Sequence, residues 1–243
     1  MIILSVGMPR AGSGWHYNVI HDVVLATGGV DARQIRSQYH LEKILTEVNC
    51  NIGVLSLRRL ALVVVPSMAG NKFAIKAHSA PTQWSRQLEQ LGQLKITYIY
   101  RDPRDAMLSA YDYGQRALQK GRPNAFSFLK DFETALNFQL EYVRIWEQWM
   151  QEKSILAARY EDLLSNYDVE IARLLKFLQA DPNQAAIKDI VAKYRPEQAT
   201  ADNQGLHFFK GKIGRFRQAW TPEQRQTLNE TLRPYLQRMG YDL

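Results

Sequence analysis

Three stretches of the chain combine charge, glycine and aromatic side chains in patterns suited to gripping anions. The first is Gly7-Met8-Pro9-Arg10-Ala11-Gly12-Ser13-Gly14-Trp15, set between an apolar run and an amphipathic one. Glycines in such a loop let backbone N–H groups converge on an anion at a helix N-terminus, and Arg10 would aim a guanidinium at whatever the amides hold. Gly7 and Gly12 have Walker A spacing, yet Ser13 stands where the lysine belongs and Gly14 where the magnesium-binding hydroxyl belongs. A magnesium-dependent nucleoside triphosphatase is therefore disfavoured.

The second stretch is Arg101-Asp102-Pro103-Arg104-Asp105, followed by Ser109 and Tyr111. Arg101 closes a predicted strand and Ser109 lies two helical turns on, so both can face a second anion beside the first loop. Asp105 reads as neutralising the helix N-terminus or holding Arg104. The third is Phe208 to Arg217, with four bases, two glycines and three aromatic residues. Such a segment could close over a charged ligand, or by itself serve as a nucleic-acid patch. Between the first two stretches, Lys76 and His78 alternate onto one side of a strand, which places a cation and a candidate base together. The remaining histidines suggest no metal site: His16 and His21 are five apart, and His40 and His207 lack partners.

The elements that must hold these groups alternate. Ile2 to Val6 reads as a strand and Trp15 to Thr27 as a helix stopped by Gly28-Gly29. Residues 31 to 50 look helical with weak caps, while the apolar patch Leu60 to Val65, ending at Pro66, fits helix or strand. Lys72 to His78 is a second strand; Thr82 caps a helix through Leu91; Lys95 to Arg101 is a third strand. Asp102-Pro103 starts the next helix, and Gly114 to Asn124 reads as a basic surface loop. Helix returns from about Ser127 to Gln151, Ser154 to Tyr160 is a fourth strand, and Thr221-Pro222-Glu223-Gln224 opens a final helix. The pattern predicts an α/β three-layer sandwich: a central parallel sheet flanked by helices.

With 243 residues, 46% hydrophobic, the chain reads as one domain covering residues 1–243, and disorder is excluded by its apolar content. The single cysteine, Cys50, excludes an intrachain disulfide and fits a reducing compartment, so a cytoplasmic protein is expected. Residues 1–7 are too short for a signal peptide, and no apolar run is long enough to span a membrane. A net charge of +7 suits anionic partners.

Pro9-Arg10-Ala11-Gly12-Ser13-Gly14-Trp15 resembles the 5′-phosphosulfate loop of sulfotransferases that use 3′-phosphoadenosine 5′-phosphosulfate (PAPS), usually Pro-Lys-Ser-Gly-Thr-Thr-Trp. Arg101 to Tyr111 is similar to that family's 3′-phosphate motif, and Lys76-Ala77-His78-Ser79-Ala80-Pro81 to its Lys-x-His-x-x-Pro segment. Tyr160-Glu161-Asp162-Leu163 and Lys210-Gly211-Lys212-Ile213-Gly214 match two later blocks in the same order, so the resemblance runs from residue 9 to 216. It implies a P-loop NTPase-like fold and transfer of a sulfuryl group from PAPS to a hydroxyl or amine, leaving PAP, with no metal. By position, Arg10, Ala11, Gly12, Ser13 and Gly14 would cradle the 5′-phosphosulfate, and Trp15 would stack on adenine with help from Tyr160. Arg101, Ser109, Lys210 and Gly211 would hold the 3′-phosphate. His78 would be the general base, with Lys76 and Arg10 stabilising the departing oxygen. The chain departs from the pattern at Arg10, Ala11, Gly14, Phe209 and Arg215-Phe216; Lys212 or Arg215 would have to compensate for Phe209.

A small-molecule or lipid acceptor is expected beyond His78, near Trp84, Tyr111, Tyr113, Phe126 and Phe128, with Leu60 to Val65 as a wall. The basic stretch Arg116 to Arg122 would suit an acidic acceptor or peripheral membrane contact; no nucleic acid is expected, and the oligomeric state is left open. Two other readings compete. A P-loop kinase-like nucleotide phosphotransferase needs the absent Walker lysine, and a non-catalytic nucleotide or nucleic-acid binder would not need His78.

Overall fold

The computed structural model describes residues 1–198 and 212–243. Four parallel strands, β1 (Ile2–Gly7), β2 (Phe73–Ala77), β3 (Leu94–Tyr100) and β4 (Leu156–Arg159), lie in the order β2-β1-β3-β4. The central strand β1 is buried along its whole length, which is why it reads as a continuous apolar run with Ser5 the only polar side chain. Parallel neighbours require long crossovers, and helices supply them.

Each face of the sheet carries its own core. Ile2, Leu4, Val6, Phe73, Ile75 and Ala77 point into the larger one, with α5 (Pro103–Gln119), α6 (Phe132–Met150) and α11 (Pro222–Met239) packed there. Ile3, Ala74 and Ile99 point into the other, against α1 (Ser13–Ala26), α7 (Tyr160–Ser165), α8 (Tyr167–Leu178) and α9 (Ala185–Lys193). The period of two in β2 therefore sorts its side chains as the sequence predicts, with Lys76 on the α1 side. The α/β three-layer architecture with a parallel sheet is observed.

Several elements differ from expectation. Over residues 31 to 50 the helix stops early: α2 (Ala32–Gln38) gives way to turns in which His40 and Cys50 take positive φ and Arg36 donates to the Leu45 carbonyl at 2.8 Å. The Leu60 to Val65 patch is helical, within α3 (Leu57–Met68). Gly114 does not end a helix; α5 continues to Gln119, so Arg116 lies on a helix and not in a loop. A Cβ on Gly114 would run into the Phe126 carbonyl, so this glycine admits the Asn124–Ser127 turn against the helix. The helix expected from Ser127 begins only at Phe132, where Asp131 and Thr134 form a capping box. Two short helices complete the order, α4 (Gln83–Gln90) and α10 (Phe216–Ala219).

Candidate functional site

The carboxyl ends of β1, β2 and β3 meet at one place, and the loop from Gly7 to Ser13 lies across it. Gly7 is required there because a Cβ would sit 2.6 Å from Ile99 Cγ2 on β3. Gly12 has φ +80°, and its missing side chain leaves room for the Tyr160 ring, 2.5 Å from where a Cβ would be. Arg10 also takes a positive φ, 63°, a conformation costing a non-glycine residue on the order of 1 kcal/mol. Helix α1 then begins with no side-chain cap and no acidic residue in its first turn, whereas α4, α6 and α11 each carry a full capping box. Its first N–H groups have no partner within the helix, so this terminus presents amides and positive potential to an anion.

Three side chains converge on the same spot. The Arg10 Nε donates to Ser109 Oγ at 3.4 Å, and its guanidinium lies 4.4 Å over the Tyr113 ring. Burial lowers its basicity most; Tyr113 acts in the opposite direction, and the nearby Arg116 and Arg101 lower it further. Lys76, almost fully buried, is held down to about 8 by burial and then by Arg10. His78 Nδ1 is 2.6 Å from the Gly7 carbonyl. A carbonyl only accepts, so Nδ1 carries the proton and Nε2 keeps its lone pair. Burial, then Lys76, pushes His78 down to about 4 against the opposing effect of that hydrogen bond, so the ring is neutral at ordinary pH. Among the described residues, no carboxylate pairs with Arg10 or Lys76.

The neighbouring arginines are treated differently. Arg101 Nη2 donates to Asp105 Oδ2 at 3.3 Å and to the Lys212 carbonyl at 2.9 Å, its guanidinium stacks 4.6 Å from the Tyr160 ring, and its buried Nε has no partner among the described residues. Arg104 is gripped by Asp102 through two bonds, 3.0 and 2.8 Å, and also reaches Asn229 and the Asp242 carbonyl. Asp105 thus holds Arg101, not Arg104, and its oxygens also accept from the backbone N–H groups of Gly214 and Phe216.

The structure brings Arg10, Gly12, Ser13, Gly14, Lys76, His78, Arg101, Ser109 and Tyr160 to one end of the sheet. Ala11 is buried in the larger core, so only its backbone can serve the loop. Trp15, at 2% exposure, lies flat against Tyr167, centroids 6.1 Å apart, and its Nε1 donates to the Tyr194 carbonyl. Arg215 is engaged with Asp112 at 2.6 Å, which removes it as a substitute for the expected arginine at 209. Lys210, Gly211, His207 and Phe209 lie outside the described residues.

The aromatic candidates split into two groups. Tyr113, Phe126 and Phe128 join Phe138 in a chain of edge contacts beside Arg10, while Tyr111 packs on Trp220 and Trp84 on the larger core. Leu60 and Val63 are core residues and Leu62 and Val65 face outward, so that patch forms no pocket wall. Sequence reasoning passed over His16. It sits in the first turn of α1, buried, with Nδ1 3.2 Å from Ser5 Oγ and Nε2 without a partner. Burial and then Lys76 push it down to about 3. The signal available was Ser5, the lone polar residue of β1, which stands opposite Lys76 in the register.

Comparison with known proteins agrees with this architecture. The family model described as "Sulfotransferase domain" matches residues 3–240. Among curated relatives, rabbit amine sulfotransferase is 23% identical over 54% of this chain and 50% of its own length. Rat sulfotransferase 1E1 is 23% identical over 78% of this chain and 62% of its own length. The chain thus spans half or somewhat more of the length of these two relatives. Two solved structures share the fold: a mouse sulfotransferase complexed with PAP (TM-score 0.61, 18% identity, 97% of this chain and 84% of that one) and retinol dehydratase with androsterone and PAP (TM-score 0.60, 17%, 100% and 82%). By the family match across nearly its whole length, the chain belongs to the sulfotransferase family.

Proposed function

We propose that residues 1–243 act as one cytoplasmic sulfotransferase domain that moves the sulfuryl group of PAPS to a hydroxyl, or to an amine, by in-line displacement. The observation that carries this reading is buried Lys76 beside half-buried Arg10 and His78, two cations without carboxylates among the described residues next to an imidazole of fixed tautomer, at an uncapped helix terminus. Buried charge without a partner is costly, so a protein retains it where an anion will arrive.

PAPS supplies the activated sulfur and a phosphate leaving group. The residues do the rest. His78 Nε2 accepts the proton of the acceptor hydroxyl as its oxygen bonds to sulfur, and the Gly7 carbonyl holds the ring in the correct tautomer throughout. Lys76 and Arg10 meet the negative charge that grows on the departing phosphate oxygen, and the amides of Ser13 and Gly14 hold it from the helix side. Arg101 and Ser109 take the 3′-phosphate, with Lys210 and Gly211 completing that pocket. Tyr160, lying between Gly12 and Arg101, spaces the two anion sites; Trp15 supports Tyr160 edge-on at 6.3 Å.

The aromatic chain through Tyr113 and Phe126 supports an apolar or aromatic small-molecule or lipid acceptor. Amine sulfotransferase and the androsterone complex of retinol dehydratase are relatives that point the same way.

Calorimetric titration with adenosine 3′,5′-bisphosphate and with adenosine 5′-monophosphate tests the reading. The bisphosphate should bind at least about tenfold tighter, as one charge-assisted hydrogen-bond set predicts, and label from PAPS should pass to an alcohol in the presence of EDTA. Equal affinity for the two nucleotides, or tight magnesium-dependent ATP binding, overturns it.

A further inference from the structure

Helix α3 (Leu57–Met68) is apolar on the side that faces solvent as well as on the side that faces the core. Leu60, Val63 and Pro66 are buried. The opposite arc carries Leu57, Ala61, Leu62, Val65 and Met68, with Ala69 just beyond, and all are exposed: 50% for Leu57, 53% for Val65 and 76% for Met68. At 100° per residue these fall within one side of the helix, and the one polar residue among them is Arg58. An exposed cluster of large apolar side chains of this kind marks a surface that is covered by a partner or a membrane.

The charge around this face identifies what covers it. From Val48 to Leu88 the chain contains no Asp or Glu, while Arg58 is exposed and makes no hydrogen bond or ion pair among the described residues. A second copy is a poor match. An isologous contact would bring the same face against itself, offering Arg58 no carboxylate. The outward side chains of one helix also fall well short of the roughly 20–30 residues a side of a standard interface. An aliphatic stripe beside a cation, without acids, suits the boundary of a bilayer bearing anionic headgroups.

We propose that α3 lies in the surface of an anionic lipid bilayer, its Leu57, Leu62, Val65 and Met68 side chains entering the acyl boundary and Arg58 meeting a headgroup phosphate. Thr82 Oγ1 donates to the Leu55 carbonyl at 2.8 Å, so the segment leading into α3 is tied four residues from His78. Membrane contact is thereby placed on α3 and not on Arg116 to Arg122, the stretch that charge alone suggests. The inference does not depend on sulfuryl transfer.

Flotation of the full chain with vesicles tests it. Phosphatidylcholine vesicles containing phosphatidylglycerol should carry the protein up the gradient, pure phosphatidylcholine vesicles should carry less, and added salt should weaken the binding. Met68→Glu, and the double variant Val65→Glu/Met68→Glu, should lower vesicle affinity at least about tenfold, and Arg58→Gln about threefold. Both glutamates fall on exposed positions, so the melting temperature should hold; Leu57→Ser/Val65→Ser gives the same reading without added charge. Absence of binding to the mixed vesicles, or equal binding by the variants, overturns the proposal. So does a dimer in light scattering that Val65→Glu/Met68→Glu converts to monomer, which assigns the face to a second copy.

Discussion

Two groups of cations lie at the carboxyl ends of neighbouring strands and are held in opposite ways. Arg101 and Arg104, at the end of β3, have carboxylates built into the same short segment: Asp105 bonds Arg101, and Asp102 clasps Arg104 from both sides. Arg10 and Lys76, at the ends of β1 and β2, have among the described residues a hydroxyl, an aromatic face and one another, and no carboxylate. A buried ion pair mainly avoids the cost of an unpaired charge, so the first group is accounted for by the fold alone. The second group is not, and its depressed basicity measures what the protein gives up until an anion binds.

Substitutions that separate the two groups test this contrast. The largest effect should come from His78→Ala, which removes the base beside the unpaired cations: sulfuryl transfer should fall by about 10²–10⁴, while calorimetry finds bisphosphate affinity within a few-fold of the parent. A matching loss of affinity would mean that His78 serves binding and not proton transfer.

Next comes Arg104→Met, which leaves Asp102 charged and buried; urea unfolding should show a loss of about 3–5 kcal/mol. Arg10→Met, by contrast, removes a charge with no carboxylate to orphan. It should change stability by less than about 1 kcal/mol while lowering bisphosphate affinity about 10–100-fold, the worth of a charge-assisted hydrogen bond. If Arg10→Met proves as destabilising as Arg104→Met, the two groups are not different in kind.

The smallest effect is a pH slope. Lys76 is lowered to about 8 in the free protein, so its ammonium is lost as pH rises through about 8, and a bound anion favours the charged form. Bisphosphate affinity should therefore decline above that pH, and Lys76→Met should bind more weakly with a flatter profile. His78, near 4, stays neutral across the same range and contributes no slope.

Much of this arrangement was legible in the chain. The apolar run of β1, the alternation of Phe73, Ile75 and Ala77 against Ala74 and Lys76 in β2, and Asp102-Pro103 at a helix start are local patterns, and the structure bears each out. What escaped notice depends on residues distant in the sequence. Gly114 looked like a helix stop because its true reason is the carbonyl of Phe126. The packing of Trp15 against Tyr167 and the Tyr194 carbonyl could not be read from the chain, because both partners lie more than 150 residues away. Asp105 lies in the first turn of α5, as one of its two readings had it; that it bonds Arg101 and not Arg104 was not legible, nor were its partners Gly214 and Phe216, more than 100 residues on. Likewise Arg215 could not be known to face Asp112. Periodicity reports which side of an element is apolar; it does not report which apolar side stays uncovered, and α3 is the case in point.

The three-way grip of Asp105 has a mechanical corollary. One carboxylate tethers both the guanidinium at the tip of β3 and the backbone that runs into α10 and α11. Any anion that draws Arg101 outward frees Oδ2 to tighten on the Gly214 amide while Oδ1 stays on Phe216, so occupancy at the sheet's edge would be registered as slower hydrogen exchange at Gly214. The carboxyl-terminal helices would then act as a gauge of whether the nucleotide is present.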